Sequence, residues 1–167
     1  VVWALGRRPV SAYGNGGRCR KDPHGDAQDT YSVIYAMDDG LTWRHLSAIG
    51  PTHDWLKQGS LEASIQGSEA AARLSYWGKA YVRGGPKHYG GGEVADLYPA
   101  GAGRNIAAFH QNVLSGNCAN ETAQRSVDCT LACILGREAV RRNALLTMDE
   151  LVKENKRLEV DLKGLKT

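Results

Sequence analysis

The chain has 167 residues, a net charge of +3, 42% hydrophobic and 23% charged residues, a balance that suits one soluble globular domain with a core of its own. The charge is small and spread along the chain, which argues against a nucleic-acid partner. No window approaches the run of about 20 apolar residues that a membrane span needs, and no basic-then-apolar leader is visible.

The chain opens Val-Val-Trp-Ala-Leu-Gly without an initiator Met. Apolar from its first residue, residues 1–6 read as the last turns of a helix closed by Gly6, and the expectation is a piece of something longer or a processed product. Pro9 to Arg20 (PVSAYGNGGRCR) reads as an extended strand with a glycine-rich middle. A dinucleotide-binding loop would need its glycines to open a helix. Here they lie among β-prone residues, so a bulge or a close backbone approach within a sheet is expected. The alternative is a ligand-facing stretch in which Arg18 grips a hydroxyl or carboxylate.

Residues 21–28 are a loop, and residues 29–37 alternate, with Tyr31, Val33 and Tyr35 on one face. Asp38-Asp39-Gly40 is a hairpin signal, and Leu41 to Ile49 returns with Leu41, Trp43, His45 and Ser47 facing one way. A loop with Pro51, His53, Asp54 and Trp55 follows. Residues 60–66 and 70–76 pair around Gly67-Ser68-Glu69, and Lys79 to Arg83 is a further strand. The glycine-rich residues 84–103 are expected to be mostly irregular.

Three helical segments close the chain. In the first, Ile106, Phe109, His110, Val113 and Leu114 make one apolar stripe, ended by Gly116 and Asn117. His110 on that stripe reads as a core or domain-boundary histidine. In the second, Val127, Leu131, Ile134, Leu135 and Val140 keep the helical period, with Arg125, Asp128, Glu138 and Arg141 largely opposite, and Asn120 or Thr122 is its expected N-cap. The third opens on Thr147-Met148-Asp149-Glu150, a capping box. Strands followed by helices predict an α+β fold: one open, mostly antiparallel sheet with the C-terminal helices on one face. The domain expectation is a single domain over 1–167, with 1–6 a helix end, 9–83 mainly strands, 84–103 irregular, 104–158 helices and 159–167 a tail.

Cys129 and Cys133, four apart on a helix, read as small buried apolar residues, and no metal is expected. The cysteine usage suits a reducing compartment, and the expected location is cytoplasmic. His53-Asp54 is adjacent only in sequence, and none of the common hydrolase, metalloprotease or phosphate-loop motifs occurs. No catalytic or cofactor-binding residue is therefore expected in this chain. Trp43, Trp55, Tyr76, Trp77, Tyr81 and Tyr89 with scattered Arg and His suit either polyol recognition, ring faces stacking on sugars, or sheet core and oligomer contact.

The segments ILGREA (134–139), LTMDELVKEN (146–155) and RLEVDLKGLK (157–166) resemble the C-terminus of the Gfo/Idh/MocA oxidoreductases, closest to the bacterial sugar-dehydrogenase-like branch. VVWALGRRPVSAYGNGGRCR (1–20), GDAQDTYSVIYAMDDG (25–40) and GSEAAARL (67–74) are similar to upstream parts of the same domain. The resemblance covers nearly all of the chain, as that family's C-terminal α/β domain. It implies a parent protein that is an NAD(P)-dependent oxidoreductase of a sugar or polyol hydroxyl. The family's G-x-G-x-x-G loop, E-K-P lysine and H-x-x-D pair would lie before Val1, so this chain alone binds neither NAD nor NADP. Implied partners are the substrate, an N-terminal dinucleotide-binding domain and further copies of the chain through the open sheet face. For the substrate wall, chemistry and position point to Arg18, Arg20, His53, Trp55 and His88. The competing expectation is a stand-alone, non-enzymatic sugar-binding or assembly module of the same fold.

Overall fold

A computed structural model describes residues 1–21, 27–48, 62–76, 79–86, 88–91 and 96–157. The fold is α+β, with antiparallel strands followed by helices. It divides into two compact units, one formed by Val1–Gly50 with Glu121–Thr167 and the other by Pro51–Asn120.

In the first unit, helix α1 (Val2–Leu5) is closed by Gly6 at φ 66°, whose N–H bonds the carbonyl of Val2. Strand β1 (Ser11–Gly17) follows, then β2 (Thr30–Ala36) and β3 (Thr42–Ala48), all antiparallel. The expected hairpin joins the last two. Met37 N–H bonds the carbonyl of Leu41 at 2.9 Å, and Gly40 takes the φ of 83° that an L side chain resists. Arg7 spans the turn, bonding Asp38 at 2.8 Å and Asp39 at 2.5 Å. The two-residue strand β8 (Leu146–Thr147) pairs with the outer edge of β1, giving the order β3-β2-β1-β8.

Helix α3 (Glu121–Arg142), which starts directly after Asn120, packs on β1 and β2. It brings Leu135, Ala139 and Val140 against Ala12, Val33 and Tyr35, with Leu146 and Met148 completing the core. The approach is close because the facing helix residues are small. A Cβ on Gly136 would sit 2.0 Å from the Tyr35 hydroxyl. Burial of Leu135 and Val33 contributes about 1.5–3 kcal/mol each, both being almost wholly sealed. The capping box is present: Thr147 accepts from the Glu150 N–H at 3.2 Å and Glu150 accepts from the Thr147 N–H at 2.8 Å, starting α4 (Met148–Glu154).

In the second unit, β4 (Glu62–Gln66), β5 (Ala71–Ser75), β6 (Ala80–Arg83) and β7 (Tyr89–Gly91) form a separate antiparallel sheet in that order. The described strands thus make two sheets where the sequence suggested one. Helix α2 (Leu97–Ser115) begins well before the expected residue 104 and occupies part of the stretch expected to be irregular. Pro99 falls in its first turn, where a missing N–H costs nothing, and the Ala100 N–H bonds the Asp96 carbonyl at 2.9 Å. Gly101 and Gly103 weaken the helix by about 1 kcal/mol each without breaking it.

Burial departs from the sequence pattern at three places. The stripe of α2 is exposed, with Phe109 at 71% and Ile106 at 69%, and His110 lies exposed beside it. Glu138, expected on the outer face of α3, is buried. The neighbouring Arg137 (3.1 Å) and Arg142 (3.7 Å) supply the charge that makes this tolerable. Cys133 is exposed and Cys129 half-buried, and all four cysteines are free thiols. No helix among the described residues is long and apolar enough to cross a membrane.

Candidate functional site

The glycine-rich middle of β1 is a close-approach element. An added Cβ would come within 2.5 Å of the Ser32 carbonyl oxygen at Gly14 and 2.3 Å of the Thr30 carbonyl oxygen at Gly16. Gly14, Asn15, Gly16 and Gly17 are paired along β2 opposite Val33, Ser32, Tyr31 and Thr30. They therefore cradle the neighbouring strand rather than a phosphate, and they open no helix. These residues do not fit a dinucleotide.

Beyond Gly17 the chain turns out of the sheet, and Asp29 fixes that turn. Its buried carboxylate accepts the N–H groups of Cys19 and Arg20, both at 2.8 Å, and the Arg20 Nε at 3.3 Å. Those two backbone donors, followed by the guanidinium, hold its pKa below the ordinary carboxylate range. The Arg20 side chain is thereby oriented at the end of β1, with its neighbour Arg18 also exposed. Sequence reasoning named both arginines but missed Asp29, whose position before a strand carries no local signal of burial.

The face of β1–β3 turned away from α3 is open. Tyr13 (51% exposed) stands opposite Ile34 (52%), and Leu46 (64%) stands opposite Ser32. On the other face Trp43 stacks on Tyr35 with ring centroids 4.3 Å apart and packs against the core, so this tryptophan is structural.

In the second unit, the sheet carries a concavity of about 480 Å³ with a mixed polar and apolar lining. The register sets Ser64 opposite Arg73 and Arg73 opposite Tyr81. Glu62 pairs with Arg73 through Nε at 2.7 Å. Its lining includes the small residues Ser64, Ala71 and Ser75 and the larger Glu62, Tyr81 and Arg83. Nothing in the strand pattern announced this, because a solvated strand face and a binding face have the same alternation. His88 is exposed just before β7. His53 and Trp55, and with them Trp77, lie outside the described residues. Of the five residues expected at the substrate wall, Arg18 and Arg20 are neighbours at the end of β1, and His88 belongs to the other unit. No group of three or more metal-ligating side chains occurs among the described residues.

No family model and no curated protein matches this chain. Solved structures do. A Thermotoga maritima protein assigned as an oxidoreductase matches over 87% of this chain at 14% identity and a TM-score of 0.56. An Agrobacterium radiobacter oxidoreductase, solved with NAD+, L-tartaric acid and magnesium, matches over 86% at 10% identity and a TM-score of 0.59. The chain shares their fold. It spans 42% and 44% of their lengths, respectively.

Proposed function

We propose that this chain is the C-terminal, substrate-side domain of an NAD(P)-dependent oxidoreductase of the Gfo/Idh/MocA type, acting on a sugar or polyol hydroxyl. One observation carries the reading: the fold is shared, across nearly the whole chain, with rather less than half of an oxidoreductase that holds NAD+. The motif resemblance of residues 134–166 points the same way.

In this reading the bound nicotinamide supplies hydride chemistry from another domain, since the glycines of β1 are committed to the sheet. The contribution of this chain is to bind and orient. Arg20, braced by Asp29, and Arg18 beside it offer planar, always-charged donors that suit hydroxyl or carboxylate oxygens. His53, Trp55 and His88 complete the proposed wall. Tyr13, Ile34 and Leu46 on the open sheet face form the core of a contact between copies of the chain, an apolar patch of the kind that marks interfaces. The isolated chain is inactive in this account.

Reading the coding region upstream of Val1 tests the proposal. A strand–G-x-G-x-x-G–helix unit followed by an E-K-P and an H-x-x-D is the expected result. A start codon immediately before Val1 overturns it in favour of a stand-alone binding module.

A further inference from the structure

A second cavity, of about 440 Å³, lies in the first unit between the start of β2 and the last turns of α3, lined by Ala27, Gln28, Tyr31, Arg137 and Arg141. We propose that it binds a small hydroxylated carboxylate, a sugar acid in chemical class. This inference does not rest on the oxidoreductase reading.

Charge comes first. The two lining arginines share one carboxylate, that of the buried Glu138, at 3.1 Å from Arg137 and 4.0 Å from Arg141. Arg142 also approaches Glu138, at 3.7 Å. It is itself neutralised by Glu154, with two contacts of 2.7 and 2.6 Å. Among the described residues, the two lining guanidiniums face one carboxylate, and both are exposed enough to take a bound anion as a second partner. Arginine forks match a carboxylate in two parallel hydrogen bonds.

The second requirement comes from Gln28. Its Oε1 is buried and has no hydrogen-bond partner, a costly state for an amide oxygen. The terminal amide torsion is soft, so the group can turn to accept from a ligand hydroxyl. Tyr31, half-buried on the same wall, adds a ring face and a phenolic hydroxyl. A bare anion would leave Gln28 unsatisfied, and a neutral polyol would make no use of the arginine forks. A ligand carrying both a carboxylate and hydroxyls engages both.

The test is titration calorimetry on the full chain at constant ionic strength, with gluconate, sorbitol, acetate and inorganic phosphate as probes. Gluconate is expected to bind at least about tenfold more tightly than the others, the scale of one charge-assisted contact. Arg141→Met should weaken gluconate by a similar factor. Gln28→Leu should weaken gluconate while leaving acetate unchanged. Should Arg141→Met fail to fold, Arg141→Lys keeps the charge without the fork and is expected to weaken gluconate too. Absence of gluconate binding, sorbitol binding as tightly, phosphate or acetate matching gluconate, or gluconate affinity unchanged in the Arg141 variant that folds would each overturn the proposal.

Discussion

The two compact units of this chain solve the problem of apolar surface differently. Every described residue that is buried and apolar belongs to the first unit. There α3 lies on β1 and β2, and its small residues Ala132, Gly136 and Ala139 let large ones from the sheet reach the helix backbone. The second unit has the same ingredients, an antiparallel sheet with an alternating face and a long helix with an apolar stripe. Yet Ile106, Phe109, Val113 and Leu114 of α2 are all more than 60% exposed, and Ala63, Ile65, Ala72 and Val82 of the sheet are only half-buried. Apolar periodicity therefore says that a face can be buried, and not that anything buries it.

This difference can be broken experimentally. The largest effect is expected at Leu135, fully sealed in the first core. Leu135→Ala should cost about 2–5 kcal/mol in urea unfolding, the range for a large-to-small change in a packed core. A cost below 1 kcal/mol would mean that α3 does not pack on the sheet as described.

Next is Gly136, where a methyl group would collide with the Tyr35 hydroxyl at 2.0 Å and its ring at 2.8 Å. Gly136→Ala should destabilise by about 1–3 kcal/mol, the usual cost of overpacking. The penalty should shrink when Tyr35→Phe removes the hydroxyl, a coupling readable in a double-mutant cycle. Strictly additive effects would separate the two residues.

Tyr35 also reports on burial through pH. Burial first, and the Cys133 thiol second, push its pKa up to about 12. A folded value raised above the unfolded one favours the folded state fully below the unfolded pKa of about 10. That contribution fades as pH rises through the folded value. Wild-type stability should therefore fall between pH 10 and 12, and Tyr35→Phe should flatten that fall. Identical alkaline limbs would show the hydroxyl to be solvated.

The smallest effect is expected on α2. Phe109→Ser, at an exposed position, should change unfolding free energy by no more than about 0.5 kcal/mol. A loss comparable with Leu135→Ala would show that the stripe is covered, and sedimentation of wild type and variant would then tell whether a second copy covers it.

Local rules carried far along the chain. The closure of α1 at Gly6, the Asp38-Asp39-Gly40 hairpin, the alternation of Tyr31, Val33 and Tyr35 and the Thr147–Glu150 capping box were all legible, because each depends on residues within one turn or one strand. The candidate sites were much less so. Arg18 and Arg20 could be named from their chemistry, while the carboxylate of Asp29 that orients Arg20 could not. Gln28, Tyr31, Arg137 and Arg141 come from separate stretches, and no spacing links them.

By itself, then, the sequence determined the α+β character, the order of the elements and the alternation that selects the buried face of β2, since helix and strand periods are local properties. Tertiary structure alone decided that the strands form two sheets and that Glu138 turns inward among arginines. It also decided that Gly14 and Gly16 serve strand contact and that the apolar stripe of α2 stays exposed. Those outcomes depend on which surfaces meet, and the energy of a packed or paired group is set by neighbours distant in the chain.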